Sequence, residues 1–245
     1  MFIYLLIYVF FYLKKRINFI FYFKSKRKKM PRGKYNKVDE KNIKKDFANY
    51  ANLKSKKIEV EGMEKMGKTL GIDIYTDTFI TYFFFRCGCK KMDEVTENEY
   101  VTGLKYFGCN SLNDLKKQII NIRENLLNLE SNEFKDFYKF LFVFNTMNTS
   151  KILSLEVVEV YFKSLFYDQF PISKDFINYL KTTKCNGLNK DQWECFLDFL
   201  LDQGTTFPKK YTCEAYYPII IDKFYEWYCD LKKIPRKKKE YEDDE

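Results

Sequence analysis

The side chains here that could do chemistry are seven cysteines and 34 carboxylates, and no histidine accompanies them. Without histidine, a Ser or Cys nucleophile lacks its usual base, and zinc lacks its commonest nitrogen ligand. The cysteines are Cys87, Cys89, Cys109, Cys185, Cys195, Cys213 and Cys229. None forms a C-x-x-C pair, and Cys87-x-Cys89 has no second pair at zinc-knuckle spacing. A thiolate at Cys87, Cys109 or Cys213 would need Lys, Arg or a helix N-terminus to lower its pKa. Buried thiols in a reducing compartment are the simpler expectation. No catalytic residue, metal or cofactor is implied.

The carboxylates offer a second chemistry, hard-cation ligation. Two loops follow the EF-hand pattern in its packing positions and fail it in its ligands. In Gly88 to Glu99, position 8 is Val95 and position 12 is Glu99, but positions 1, 3, 5 and 6 hold Gly88, Lys90, Met92 and Asp93. In Asn145 to Glu156, position 8 is Ile152 and position 12 is Glu156, with Asn145, Met147, Thr149 and Ser150 at the others. A lysine and two methionines cannot ligate calcium. The expectation is helix-loop-helix geometry without the ion, which also argues against a calcium sensor.

Helices must carry these loops. Hydrophobic residues make up 46% and aromatics 19%, enough for a sizeable core, while Gly and Pro total only 14. Asn186-Gly187 is the one clear strand-turn dipeptide. The periodicity predicts a weakly apolar helix around Ile43 to Leu53, then one with Met63, Met66 and Leu70 on one face. A helix through Phe85, capped by Asp73 or Thr76, has Phe79, Ile80, Phe83 and Phe84 nearly all round and should be central. Further helices are expected over Glu97 to Phe107, from Ser111 through Leu126, and over Phe134 to Phe144, Leu155 to Phe166 and Lys174 to Leu180. Asp191 to Leu201 and Pro218 to Leu231 complete an all-α domain.

Residues 1–34 read as a basic, apolar extension, 35–233 as the helical domain and 234–245 as a charged tail. The net charge of +9 sits almost wholly in residues 1–30, which carry eight cations and no acid. The remainder is near neutral, with no strong reason to seek nucleic acid. Phe2 to Leu13 is too short to span a bilayer. Extending it to Phe23 buries Lys14, Lys15 and Arg16, roughly 8–10 kcal/mol against insertion. Two readings stay open: a short membrane-associated anchor, or a start at Met30 with an artefactual upstream stretch, which its A/T-rich codon bias favours.

Several ordered segments point further. Phe134-Lys135-Asp136-Phe137-Tyr138-Lys139-Phe140 runs into Phe142-x-Phe144. Gly108-Cys109-Asn110-Ser111-Leu112 precedes Asp114-Leu115-Lys116. Asp191-x-Trp193, Leu197-Asp198-Phe199 and Pro218-Ile219-Ile220-Ile221-Asp222-Lys223-Phe224 follow. From about Asp39 to Tyr228, the sequence resembles the potentiating-neddylation domain of the defective-in-cullin-neddylation proteins.

That resemblance implies an all-helical domain with calcium-free EF-hand-like halves. It also implies an accessory E3 scaffold within ubiquitin-like conjugation, holding a cullin C-terminal region and the neddylation E2 together in a ligase complex. The E2 supplies the chemistry, and the site is nuclear or cytoplasmic, with membrane association if residues 1–30 are real. The family's cullin-binding acids match Asp191 and Asp222. The small residue between them matches Ala215 counted from Asp191, or Tyr216 counted from Pro218. Helix capping by Asp191 and a solvated face for Asp222 are the plainer alternatives. A pocket for the acetylated E2 N-terminus matches Met63, Phe79, Tyr82, Phe144 and Tyr161, which could equally be core. The competing function is a calcium-independent helical interaction module, possibly membrane-anchored, with a different partner.

Overall fold

Caps and glycines cut the chain into short helices. The computed structural model describes residues 38–147, 151–204, 206–209, 211 and 217–236. Among them lie α1 (Glu40–Ala48), α2 (Val60–Leu70), α3 (Thr78–Cys87), α4 (Glu97–Tyr106), α5 (Leu112–Lys116) and α6 (Ile119–Leu126). Then come α7 (Asn132–Thr146), β1 (Ile152–Ser154), α8 (Leu155–Leu165), α9 (Ile172–Thr182), β2 (Gly187–Asn189), α10 (Lys190–Gln203) and α11 (Ile219–Lys232). The all-α expectation holds, apart from one two-stranded ladder.

Several expected boundaries move. Asp77, not Asp73 or Thr76, caps α3, through a bond from the Phe79 N–H at 2.9 Å. The helix expected from Ser111 through Leu126 is two, α5 and α6, broken at Lys117–Gln118. The first helix ends at Ala48, and Leu53 is exposed in the following loop. Thr96 opens α4 with a capping box. Asn110 accepts the Asp39 N–H at 2.7 Å, and Asp46 receives both the Tyr100 hydroxyl and the Leu112 N–H, tying α1 to α4 and α5.

Both loops with EF-hand-like packing pair with a partner loop that the sequence reading did not single out. Val95 bridges Ile58 through two backbone hydrogen bonds of 2.9 and 2.8 Å, with both side chains fully buried. In the second half, Leu153 faces Leu188 across the β1–β2 ladder. This shifts the expected register by one residue: Leu153, paired with Leu188, is buried and Ile152 is exposed. Gly187 makes the ladder possible. Its φ is +154°, and a Cβ there would lie 2.0 Å from the Leu153 carbonyl oxygen. The geometry is consistent with EF-hand-like halves. Glu99, at the calcium-ligand position, instead accepts from the Thr96 N–H and hydroxyl, both at 2.8 Å. Among the described residues, no group of three or more Cys, Asp or Glu side chains could hold a metal ion. None of their helices is long and apolar enough to cross a membrane.

The second half is centred on Trp193. Its indole N–H donates to the Tyr138 carbonyl, and the Tyr138 hydroxyl donates to the Trp193 carbonyl, both at 2.9 Å. The rings stack with centroids 4.2 Å apart. A fully buried aromatic pair keeps both polar ends satisfied only through such reciprocity. The Phe134–Phe144 motif and the Asp191-x-Trp193 motif thus meet in space as one joint between α7 and α10.

Candidate partner-binding surfaces

The α10 joint fixes one acid. Asn189 and Gln192 form a capping box at the start of α10, with bonds of 2.9 and 3.0 Å. Trp193 points inward and anchors the same turn. Asp191, between them, is exposed and free of capping duty, so the alternative that it is the helix cap is corrected. The Cys195 thiol donates to it at 3.7 Å. Asp198 and Asp202 lie further along the helix, both exposed, and the Tyr217 hydroxyl donates to Asp202 at 2.6 Å.

The other acid, Asp222, lies in the first turn of α11 behind Pro218. It is half-buried and accepts a 2.6 Å hydrogen bond from the buried Tyr211 hydroxyl, so the solvated-face alternative is corrected too. That bond leaves a second carboxylate oxygen for another partner and fixes the side chain's direction. Rings of Phe199 and Phe224 link α10 to α11 at 6.4 Å. Ala215 and Tyr216 lie outside the described residues.

A second surface is concave. A cavity of about 330 Å³ opens where α2 and α3 face α7 and α8. That size falls within the range of small-ligand pockets. Met63, Phe144 and Tyr161, three of the five expected pocket residues, line it. Phe144 stacks on Phe140 at 4.8 Å. Tyr161 is buried, which pushes its hydroxyl above the usual tyrosine range and keeps it neutral. It accepts from the Asn145 amide at 2.8 Å, joining α7 to α8.

Phe79 and Tyr82 lie outside this wall. Phe79 is buried beneath Arg123, 5.8 Å from its ring. Tyr82 donates to Glu133, which also pairs with Arg86 and receives the Tyr106 hydroxyl. This cluster ties α3, α4 and α7 together rather than opening to a ligand. The wall instead gains Thr78, Thr81 and Asp77 from α3 and its cap, and the mouth gains exposed Val60, Tyr75 and Met92. Met92 carried a signal in sequence: a large apolar side chain stands where a calcium loop would need an oxygen.

Three of the thiols are poorly suited to act as nucleophiles. Burial pushes Cys87 far up and Cys109 up to about 12. Cys195 is raised by burial and then by the Asp191 carboxylate. All three stay protonated near neutrality.

Residues 114–227, the stretch that carries Trp193 and both acids, match the cullin-binding family. Its relatives are the DCN1-like proteins. DCN1-like protein 2 of Dictyostelium discoideum is 30% identical over 176 residues, covering 71% of this chain and 64% of that protein. DCN1-like protein 4 of Drosophila melanogaster is 23% identical over 167 residues, covering 68% and 66%. Human DCN1-like protein 5 is 24% identical over 167 residues, covering 68% and 69%. The chain thus spans just under two thirds of the length of the first two curated relatives. The family match and these relatives agree with the resemblance drawn from the motifs.

Proposed function

We propose that this DCN1-like chain promotes cullin neddylation as an accessory, non-catalytic E3 component. It holds a cullin C-terminal region on the α10–α11 edge and the acetylated N-terminus of the neddylation E2 in the cavity. The observation that carries the reading is the pair of acids inside the stretch that matches the cullin-binding family: Asp191, exposed on a capped turn, and Asp222, held by the Tyr211 hydroxyl. A carboxylate already fixed by its neighbours loses little freedom when a basic side chain docks, and charge-assisted hydrogen bonds then set register and on-rate.

The cavity supports the second half of the reading. Its wall is mostly apolar, and a free ammonium buried there would go largely unpaired, which is costly. Acetylation removes that charge. The rate gain comes from proximity: both proteins are held within reach while the E2 cysteine does the chemistry. The raised thiols of this chain are in keeping with that division.

The test is reconstituted cullin modification with purified E1, E2, modifier and cullin, with and without this protein. Stimulation that disappears in the Asp191→Ala, Asp222→Ala double variant is the expected result. Equal modification with and without the protein would overturn the reading.

A further inference from the structure

The two acids of the α10–α11 edge are held differently. Asp191 is exposed, and the bond it receives is a weak one, from the Cys195 thiol at 3.7 Å. Asp222 receives the Tyr211 hydroxyl at 2.6 Å. It sits four residues beyond Pro218, the cap position of α11, so capping does not fix its carboxylate. Its direction comes from Tyr211.

Tyr211 can set that direction because its ring is held on several sides. The ring meets Tyr225 of α11 at 4.9 Å and Phe199 of α10 at 6.0 Å. From the connection between those helices, Phe207 meets it at 5.7 Å and Tyr217 at 6.1 Å. A tyrosine hydroxyl lies on the axis of its ring, so two side-chain angles place it. Packing on both helices fixes those angles, and a buried phenol needs its acceptor. Tyr211 is 1% exposed, so a docked protein does not reach it. Any influence it has on binding passes through Asp222.

We propose that Tyr211 is a positioning residue for cullin binding. Its hydroxyl holds the Asp222 carboxylate in one orientation before a basic side chain of the cullin arrives, and leaves the other oxygen to receive it. This rests on the cullin reading given above and adds an asymmetry to it. Asp222 is oriented in advance, whereas Asp191 becomes oriented on binding.

A double-mutant cycle tests this, with the purified cullin C-terminal region titrated against full-length variants at low ionic strength, where charge pairing is strongest. Tyr211→Phe keeps the ring and removes the donor. It should weaken binding about threefold to tenfold, the cost of ordering a side chain during docking rather than beforehand. In an Asp222→Ala background the same change should have no further effect. In an Asp191→Ala background it should weaken binding by the same factor as in wild type. A merely structural Tyr211 would weaken binding equally in both backgrounds. That result, or wild-type affinity in folded Tyr211→Phe, would overturn the positioning role while leaving the cullin reading standing. Absence of binding to wild type would overturn both.

Discussion

The α10–α11 edge and the cavity between α2–α3 and α7–α8 use opposite physics for recognition. The edge presents Asp191, exposed on a turn fixed by a capping box and a buried Trp, and Asp222, whose direction is set by a tyrosine hydroxyl. The cavity presents apolar side chains around few polar atoms. Charge at an accessible edge is screened by salt and mainly steers encounter. An enclosed apolar pocket is insensitive to salt and gains from area removed from water. On the proposed function, one helical frame would serve its two partners through surfaces that answer to different variables.

Trp193 is where the comparison should break. Beyond its joint with Tyr138, its ring meets Tyr161 of the cavity wall at 6.2 Å. Trp193→Ala should cost about 3–5 kcal/mol of stability by cavity formation alone, and it also leaves the buried Tyr138 carbonyl without its indole donor, while the main-chain carbonyl that the Tyr138 hydroxyl uses remains. Thermal unfolding should show it, and both surfaces should fail together. Intact binding at either surface in a fully folded variant would show that they do not share this support.

Replacing Asp191 and Asp222 together by Ala should separate the surfaces. Cullin-tail affinity should fall by about 2–5 kcal/mol, the range for truncated charge pairs that become buried on binding. Binding of an acetylated N-terminal peptide and the melting temperature should hardly change. Unchanged cullin affinity would remove the edge from the account. Raising salt from low to physiological levels sharpens the contrast further: cullin association should slow while peptide affinity stays flat, as read by surface plasmon resonance.

Much of this was legible beforehand, and the limits have physical causes. Helix identity came through because apolar periodicity survives: Met63, Met66 and Leu70 are all buried on α2. Trp193 and the Asp191 turn were legible because a motif carries them. Cap choice was not, since Asp73, Thr76 and Asp77 are chemically equivalent caps until the backbone selects one. The Leu153 register was misjudged because Ile152 and Leu153 are equally apolar, and only pairing with Leu188 decides which one turns inward. Phe79 and Tyr82 looked like Phe144 in sequence, yet packing sent them to the far side of α3. Thr78, on the cavity wall with a buried hydroxyl that has no hydrogen-bond partner, gave no signal at all, because that is a property of three-dimensional surroundings.

The smallest predicted effect concerns the cluster that drew Tyr82 away from the cavity. Burial pushes the Glu133 carboxyl up, but hydrogen bonds from Tyr82 and Arg86 outweigh it, and its pKa ends below the ordinary 4.5. A carboxylate lowered on folding contributes stability above its unfolded pKa and loses it as pH falls through the folded value. Wild type should therefore lose stability more steeply than Glu133→Gln below about pH 4.5, as seen in denaturant midpoints. Parallel pH profiles would assign that cluster no linkage.

The central claim is simultaneous occupancy: one chain holding a cullin tail and a blocked E2 N-terminus at once. It is tested most directly by titrating the acetylated E2 into protein already saturated with the cullin C-terminal region, with sedimentation reporting the assembly. The account predicts a stable ternary species, with E2 affinity the same whether or not the cullin is bound. Displacement of the cullin by the E2, or failure of the E2 to join the preformed complex, would contradict it.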